Sequence, residues 1–139
     1  MKPVKTLNVL GEQIDLIVTG EMTNGASAFL IQMTPPGGGP PPHQHTREDE
    51  TFIVLEGDFK FLENGKWRRV SKDEFIFSPR GSVHTFRNVG STMGKVAFFL
   101  APAGFEEFFE QIQGYSHHEM PKILEVAGRF GLIFHLPTQ

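Results

Sequence analysis

Three histidines and one glutamate have the residue types and the spacing of metal ligands: His43, His45, Glu50 and His84. Imidazole nitrogens and a carboxylate are donors that hold divalent transition metals in proteins. The His43-x-His45 spacing predicts a strand, because side chains two residues apart in a strand lie on the same face. The four residues that follow His45 allow the chain to bend so that Glu50 returns to that face. His84 must then come from a distant strand that lies over the first pair.

The spacing around these residues fits two longer motifs. The first is Gly, five residues, His-x-His, four residues, Glu, six residues and Gly, and it runs from Gly37 to Gly57. The second is Pro-x-Gly, two residues, His, three residues and Asn, and it runs from Pro79 to Asn88. Together they resemble the two motifs of the cupin superfamily. One position departs from that pattern, since Asp73 stands where the second motif begins with glycine, and this affects a turn and no ligand.

The resemblance implies an all-β fold, the double-stranded β-helix or jelly-roll barrel of cupins, with two short C-terminal α-helices. Because only one His-x-His occurs, we expect a single domain over residues 1–139. Its barrel core is expected at about residues 6–100 and its helical segment at about residues 103–131. The C-terminal segment is similar to a subgroup of small cupins described as quercetin-dioxygenase-like. Cupins of this size are commonly homodimers, so the resemblance also implies a homodimer.

Short β-runs separated by turn residues predict roughly eight to ten strands between residues 6 and 100. Asn64-Gly65 is the clearest turn, because a type I′ turn needs positive φ at both central positions. It predicts a hairpin between residues 58–63 and 66–70. Further strands are predicted at residues 26–34, 51–55, 75–77, 83–87 and 95–100.

The proline- and glycine-rich stretch at residues 35–42 leads directly into His43. It is interpreted as a loop that brings the chain to the barrel rim, with a mobile surface loop as the alternative. After Pro102 the pattern becomes helical. One amphipathic helix is predicted from about Gly104 to Gln113 and a second from Pro121 to Phe130, and residues 132–136 are predicted as a strand or an extended tail.

The donor set indicates the chemistry without choosing between reactions. Four protein ligands would leave two positions open on an octahedral Fe, Mn, Ni or Co ion, and Zn binds such donors as well. A dioxygenase would use these positions for an enol or hydroxyl oxygen and for O2. A Lewis acid isomerase, lyase or decarboxylase would use the same positions, and a non-catalytic module for a small ligand is the third possibility. The dioxygenase is the leading hypothesis, with a small molecule as substrate.

The resemblance to cupins implies a second role for Glu50. In quercetinase-like cupins the matching glutamate ligates the metal and also takes the hydroxyl proton of the substrate. This implies that Glu50 is a catalytic residue as well as a ligand. A purely structural ligand is the alternative.

The substrate pocket is expected to be apolar, because the chain contains 14 Phe but only one Trp and one Tyr. Counting in twos from Glu50 and His84 identifies side chains on the metal-facing side of their strands. Parity does not choose between Phe98 and Phe99 on the neighbouring strand. The predicted pocket residues are Phe52, Val54, Phe86 and Phe98. An apolar, aromatic pocket favours a flat, apolar substrate.

Other charged and polar residues near the motifs are interpreted as surface groups. Glu48 and Asp49 are predicted to be charges at the barrel rim, and the His117-His118 pair is predicted to be exposed to solvent.

Composition excludes several other function classes. The net charge is −3 and the longest run of basic residues is Arg68-Arg69, so nucleic acid binding has no electrostatic basis. The sequence has no cysteine, no apolar run at its N-terminus and no stretch of about 20 apolar residues. We therefore expect a cytoplasmic protein without a membrane span or a disulfide framework.

Overall fold

A computed structural model describes residues 2–136 of the chain. Eleven strands lie in these residues: ten between residues 5 and 101, where eight to ten were predicted, and one at Leu132–Phe134, where a strand or an extended tail was predicted. In chain order they are β1 Lys5–Val9, β2 Glu12–Val18, β3 Ala28–Thr34, β4 His43–His45, β5 Asp49–Glu56, β6 Phe59–Glu63, β7 Lys66–Val70, β8 Phe75–Ser78, β9 His84–Asn88, β10 Gly94–Ala101 and β11 Leu132–Phe134.

The strands form two antiparallel sheets. The first sheet has the order β1-β2-β3-β10-β5-β8 and the second has the order β11-β4-β9-β6-β7. The inner faces of the two sheets supply one core of buried aliphatic and aromatic side chains. This architecture confirms the all-β jelly-roll fold expected from the motifs.

The register of β3, β10 and β5 determines which side chains face the core. Phe98 lies between Phe52 on one neighbouring strand and Leu30 on the other, and all three side chains are buried. Phe99 points to the opposite, outer face and is 43% exposed. Strand alternation therefore assigns Phe98 to the interior, where parity in the sequence left both residues open.

Two turns explain local features of the sequence. Asn64 and Gly65 have φ values of 52° and 78°, and they join β6 to β7 in the predicted hairpin. Asp73 has φ of 70°, so the position where the second motif usually begins with glycine has the left-handed conformation here. Aspartate tolerates this conformation better than most residues do, which explains why the substitution preserves the turn.

The proline-rich segment at residues 35–42 runs beside β9. The Gly37 N–H donates to the Asn88 carbonyl at 2.9 Å, and the Asn88 N–H donates to the Gly38 carbonyl at 3.0 Å. The Thr85 hydroxyl donates to the Pro40 carbonyl at 2.6 Å. These bonds fix the segment as an ordered approach to β4, in agreement with the interpretation as a loop that leads to the barrel rim.

The two predicted helices are present as α1 at Glu106–Ile112 and α2 at Met120–Arg129. Pro121 lies in the first turn of α2, where its missing N–H costs no helical hydrogen bond. After Gly131 the chain forms β11, which pairs with β4. Within residues 2–136 no helix is long and apolar enough to cross a membrane.

Candidate metal centre

The structure brings His43, His45, Glu50 and His84 together inside the sandwich. One ligand atom from each of these side chains lies within 4.8 Å of every other, and all four residues are buried. β4 supplies His43 and His45 on one face, the start of β5 supplies Glu50, and the start of β9 supplies His84. His43 and His84 are register partners across the pair β4–β9, which positions the two rings side by side.

Backbone carbonyls orient two of the imidazoles. His43 Nδ1 lies 2.9 Å from the Pro41 carbonyl oxygen, and His84 Nδ1 lies 3.2 Å from the Ser82 carbonyl oxygen. A carbonyl oxygen can only accept, so in both rings Nδ1 must carry the proton. In the neutral form of each ring the Nε2 atom then has a free lone pair, as a metal ligand needs.

The Glu50 carboxylate lies between two of these nitrogens. Its Oε1 atom is 3.0 Å from His84 Nε2 and 3.3 Å from His45 Nε2. Lone pairs at this distance from a carboxylate oxygen repel it unless a proton or a cation lies between them. The donor set and its geometry therefore fit a divalent cation bound by three nitrogens and one oxygen.

The charges in this cluster shift its pKa values in different directions. Burial, reinforced by the nearby His45 and His84, lowers the pKa of His43 to about 3. Burial alone would also lower the pKa of His45, but the Glu50 and Glu48 carboxylates raise it above its ordinary value. Burial alone would raise the pKa of Glu50, but the three imidazoles lower it. The cluster thus favours an ionised Glu50 and a neutral His43.

Glu48 is not the rim charge that the sequence predicts. Its side chain is only 4% exposed, and its Oε1 atom lies 3.4 Å from His45 Nδ1. Thr46 and Arg47 are hydrogen-bonded to the end of α2, and the bend between β4 and β5 directs the next side chain inward. No periodicity in the sequence indicates the direction of such a bend. Asp49 does lie near the surface, where it accepts hydrogen bonds from Arg80.

A cavity of about 690 Å³ extends from the cluster. Three of the predicted pocket residues line it, namely Phe52, Phe86 and Phe98. Val54 does not belong to the lining. It is fully buried one step further along β5, opposite Val96, where it packs in the core. Alternation correctly identifies its face, but it does not show which side chains of that face border the cavity.

The C-terminal elements supply much of the rest of the cavity wall. The additional apolar lining from this segment consists of Phe105, Phe108, Phe109, Ile112, Met120, Ile123, Leu132 and Phe134. The helical apolar stripe of α1 was visible in the sequence as an i, i+3, i+4, i+7 pattern. That pattern does not reveal which surface the stripe covers, so sequence reasoning missed these residues. His117 lies at the cavity as well, although both His117 and His118 are exposed as predicted.

The cavity has a second polar end. Glu12 Oε1 accepts hydrogen bonds from Gln32 Nε2 and from Thr34 Oγ1, both at 2.7 Å, and the side chains of Glu12 and Gln32 line the cavity. Glu50 of β5 and Ala28 of β3 both pair with Leu100 of β10, so they lie at the same level of the sheet. Gln32 lies four residues further along β3. At about 3.3 Å per residue, the two polar ends are about 13 Å apart along the strand direction.

Comparison with known proteins agrees with this description. The family described as "Cupin domain" matches residues 30–100, about half of the chain, and this range contains all four clustered residues. An uncharacterized protein of Aquifex aeolicus is 31% identical over 88 residues, which cover 63% of this chain and 69% of that protein. An oxalate-binding protein of Thermotoga maritima is 31% identical over 81 residues, which cover 58% of this chain and 67% of that protein.

A solved structure shows the same fold. The crystal structure of a predicted oxalate decarboxylase from Thermotoga maritima superposes with a TM-score of 0.62 and 25% identity, over 73% of this chain and 93% of that one. Among four of the curated relatives, the aligned segment spans between 36% and 69% of the relative's own length. Taken with the jelly roll and the two motifs that converge in its interior, the family match shows that this chain belongs to the cupin domain family.

Proposed function

We propose that the protein is a metal-dependent dioxygenase that acts on a small apolar or aromatic substrate with an enol or hydroxyl group. The observation that carries this proposal is the position of the three-histidine, one-glutamate cluster at the end of a largely apolar cavity whose lining includes seven phenylalanines. When bound, one divalent metal would supply Lewis acidity and open coordination positions at that point. The ligands would be His43, His45, Glu50 and His84, and the donor set is compatible with Fe, Mn, Ni, Co or Zn.

Glu50 would have a second task in this reaction. The surrounding imidazoles lower its pKa, so that its carboxylate is ionised at neutral pH although it is buried. An ionised carboxylate at the end of the cavity can accept the proton of a substrate hydroxyl, which leaves the substrate oxygen as an enolate or phenolate. This is the role that we assign to Glu50 as the catalytic residue.

The shape and the lining of the cavity indicate the kind of substrate. Phe52, Phe86 and Phe98 offer apolar ring surface to a flat molecule. The distance to Glu12 and Gln32 suits an elongated substrate that has a hydrogen-bond donor at its far end. The α1 and α2 side chains over the cavity would exclude water from the reacting groups.

The alternative is a non-oxidative metal-dependent isomerase or lyase, or a module that binds a small ligand without turnover. The names of a solved structure and of a curated protein, both from Thermotoga maritima, favour this reading: a predicted oxalate decarboxylase and an oxalate-binding protein. The same donor set would polarise a carbonyl group without any need for oxygen.

The test is a comparison of metal forms and of atmospheres. Protein loaded separately with Fe, Mn, Ni, Co or Zn is offered flavonols, 1,3-diketones and catechols, while O2 uptake and substrate loss are both recorded. We expect O2 uptake with at least one redox-active metal, no uptake with Zn, and loss of turnover in Glu50→Gln. Substrate loss without O2 would establish the non-oxidative alternative. Saturable binding with no turnover in any form would establish the binding module.

We also propose that the protein is a homodimer. Strand β8 is an edge of the six-stranded sheet, and its Phe75 and Phe77 side chains are 68% and 58% exposed. Phe77 and Phe99 lie on either side of Thr51 on the outer face of this sheet. An exposed edge strand beside exposed aromatic side chains is a surface that proteins usually cover, and a second copy of the chain would cover it.

A further inference from the structure

Glu48 is a buried carboxylate that the proposed reaction does not use. Its Oε1 atom and the Nδ1 atom of His45 are both inaccessible to solvent, and neither has another hydrogen-bond partner among residues 2–136. The two atoms face each other at 3.4 Å. A buried carboxylate without a partner is strongly unfavourable, so this contact calls for an explanation beyond surface charge.

The surrounding backbone holds Glu48 in this position. The Thr46 N–H and hydroxyl both donate to the Gly131 carbonyl, at 3.0 and 2.7 Å. The Arg47 guanidinium donates to the Arg129 carbonyl at 2.9 Å. The two residues that precede Glu48 are therefore hydrogen-bonded to the last residue of α2 and to the segment just after it, which fixes the bend.

The His45 ring is confined from a second direction. The Phe105 ring meets it edge-on, with ring centroids 4.4 Å apart. The three imidazoles of the cluster also differ in what their Nδ1 atoms face. His43 and His84 face backbone carbonyls, whereas His45 faces a carboxylate.

We propose that Glu48 is a positioning residue of the metal centre, which accepts the Nδ1–H of His45 and thereby directs Nε2 of that ring toward the metal. A carboxylate behind a histidine fixes its tautomer and its orientation, and it raises the electron density on the ligating nitrogen. This inference rests on the proposed metal site and adds a fifth residue to it. Glu48 itself does not touch the metal or the substrate.

The role predicts a graded loss of metal affinity. In Glu48→Gln the side chain keeps its shape and an acceptor oxygen but loses its charge, and we expect about tenfold weaker binding. In Glu48→Leu no acceptor remains, and we expect up to about 100-fold weaker binding. Glu48→Asp retains the charge at a greater distance and should bind more tightly than Glu48→Leu. Asp49→Asn is the matched control, because its carboxylate faces Arg80 at the surface.

The experiment measures Zn²⁺ affinity by competition with a chromophoric chelator at constant pH, for the full chain and each variant. Circular dichroism of each metal-free variant verifies its fold. In the Zn²⁺-loaded protein, ¹⁵N-edited NMR of the imidazoles reports the Nδ1-bound proton of His45. We expect a downfield signal that moves upfield in Glu48→Gln, while the signals of His43 and His84 remain in place.

The outcomes distinguish failure of the metal site from failure of the Glu48 role alone. If the unmodified chain binds no divalent metal, the proposed function fails and the role of Glu48 fails with it. If the chain binds metal, but folded Glu48→Gln and Glu48→Leu bind it equally well and the His45 signal does not move, only the positioning role is overturned. A graded loss of affinity together with a shifted His45 signal supports it.

Discussion

His84 Nε2 lies 3.0 Å from Glu50 Oε1, although 34 residues separate the two in the chain. Glu50 belongs to a strand of the six-stranded sheet, and His84 belongs to a strand of the five-stranded sheet. This contact exists only when the two sheets pack face to face. The candidate metal centre and the core of the fold therefore form together, and a bound cation should stabilise the sandwich by linking its sheets.

Replacement of His84 by alanine should remove most of the bound metal without unfolding the chain. One of four donors is lost, and the Glu50 carboxylate loses the nitrogen that lies 3.0 Å away. We expect the metal content of purified protein to fall roughly tenfold or more. Inductively coupled plasma mass spectrometry measures this content, and circular dichroism measures the fold.

The matched control for this variant is His118→Ala, which removes an exposed imidazole outside the cluster. Its metal content should equal that of the unmodified protein. If His84→Ala were folded and retained full metal content, the site would not be the one formed by these four residues.

The stability of the metal-free protein should depend on pH through His43. Its pKa falls from an ordinary value of 6.5 to about 3 in the folded state, chiefly because the ring is buried. The unfolded chain therefore binds more protons between these two values, and stability is lost as the pH falls from about 6.5 toward 3. One such group contributes a slope of about 1.4 kcal/mol per pH unit. Urea unfolding between about pH 6 and pH 4.5 measures it.

Two neighbouring groups act mainly outside this range. The raised pKa of His45 contributes stability that is present below its ordinary value and is lost as the pH rises. The lowered pKa of Glu50 contributes stability that is lost as the pH falls below about its ordinary value of 4.5. We expect His43→Gln to flatten the slope between pH 6 and pH 4.5, and His118→Gln to leave it unchanged. An equally steep slope in His43→Gln would contradict the assignment.

The cluster of His43, His45, Glu50 and His84 was predictable because the chemistry and the spacing of these residues are both restrictive. Three histidines and a glutamate must converge to bind a metal, and the strand period explains how His43 and His45 share a face. The hairpin at Asn64-Gly65 was predictable for a similar reason, since few residues accept positive φ. The shared face of His43 and His45 and the hairpin depend on local geometry that a short stretch of sequence determines, whereas His84 was identified by the resemblance of its motif to a known family.

The errors have a common physical origin in tertiary packing. Glu48 resembles an ordinary surface charge in the sequence, and only the bonds from the preceding bend to the end of α2 turn it inward. Val54 shares its face with Phe52 but is fully buried in the core and does not line the cavity. The apolar stripe of α1 was evident, whereas its role as a wall of the cavity depends on where the helix packs. No periodicity encodes these positions.

Replacement of Phe77 by glutamate should prevent the proposed homodimer. Phe77 is 58% exposed on the edge strand β8, so the substitution costs little folding energy but places a charge in the expected interface. Size-exclusion chromatography with light scattering should show a dimer for the unmodified chain and a monomer for the variant. Trp67→Glu is the control, because Trp67 is 46% exposed on a strand of the other sheet. A monomeric unmodified chain, or a dimeric Phe77→Glu variant, would contradict the proposal.

Replacement of Gly39 by alanine should destabilise the loop that presents His43. A Cβ atom at Gly39, where φ is 141°, would collide with the carbonyl oxygen of Phe86, whereas a Cβ at Gly37 would meet no atom within 4 Å. We expect Gly39→Ala to lower the free energy of unfolding by about 2 to 4 kcal/mol. Gly37→Ala should lower the free energy of unfolding by about 1 to 2 kcal/mol, because its left-handed backbone alone is strained.

Urea unfolding measures both losses of stability. The metal content should also fall further in Gly39→Ala than in Gly37→Ala, because the displaced loop carries the Pro41 carbonyl that orients His43. Equal losses of stability in the two variants would show that the loop yields without strain at Gly39.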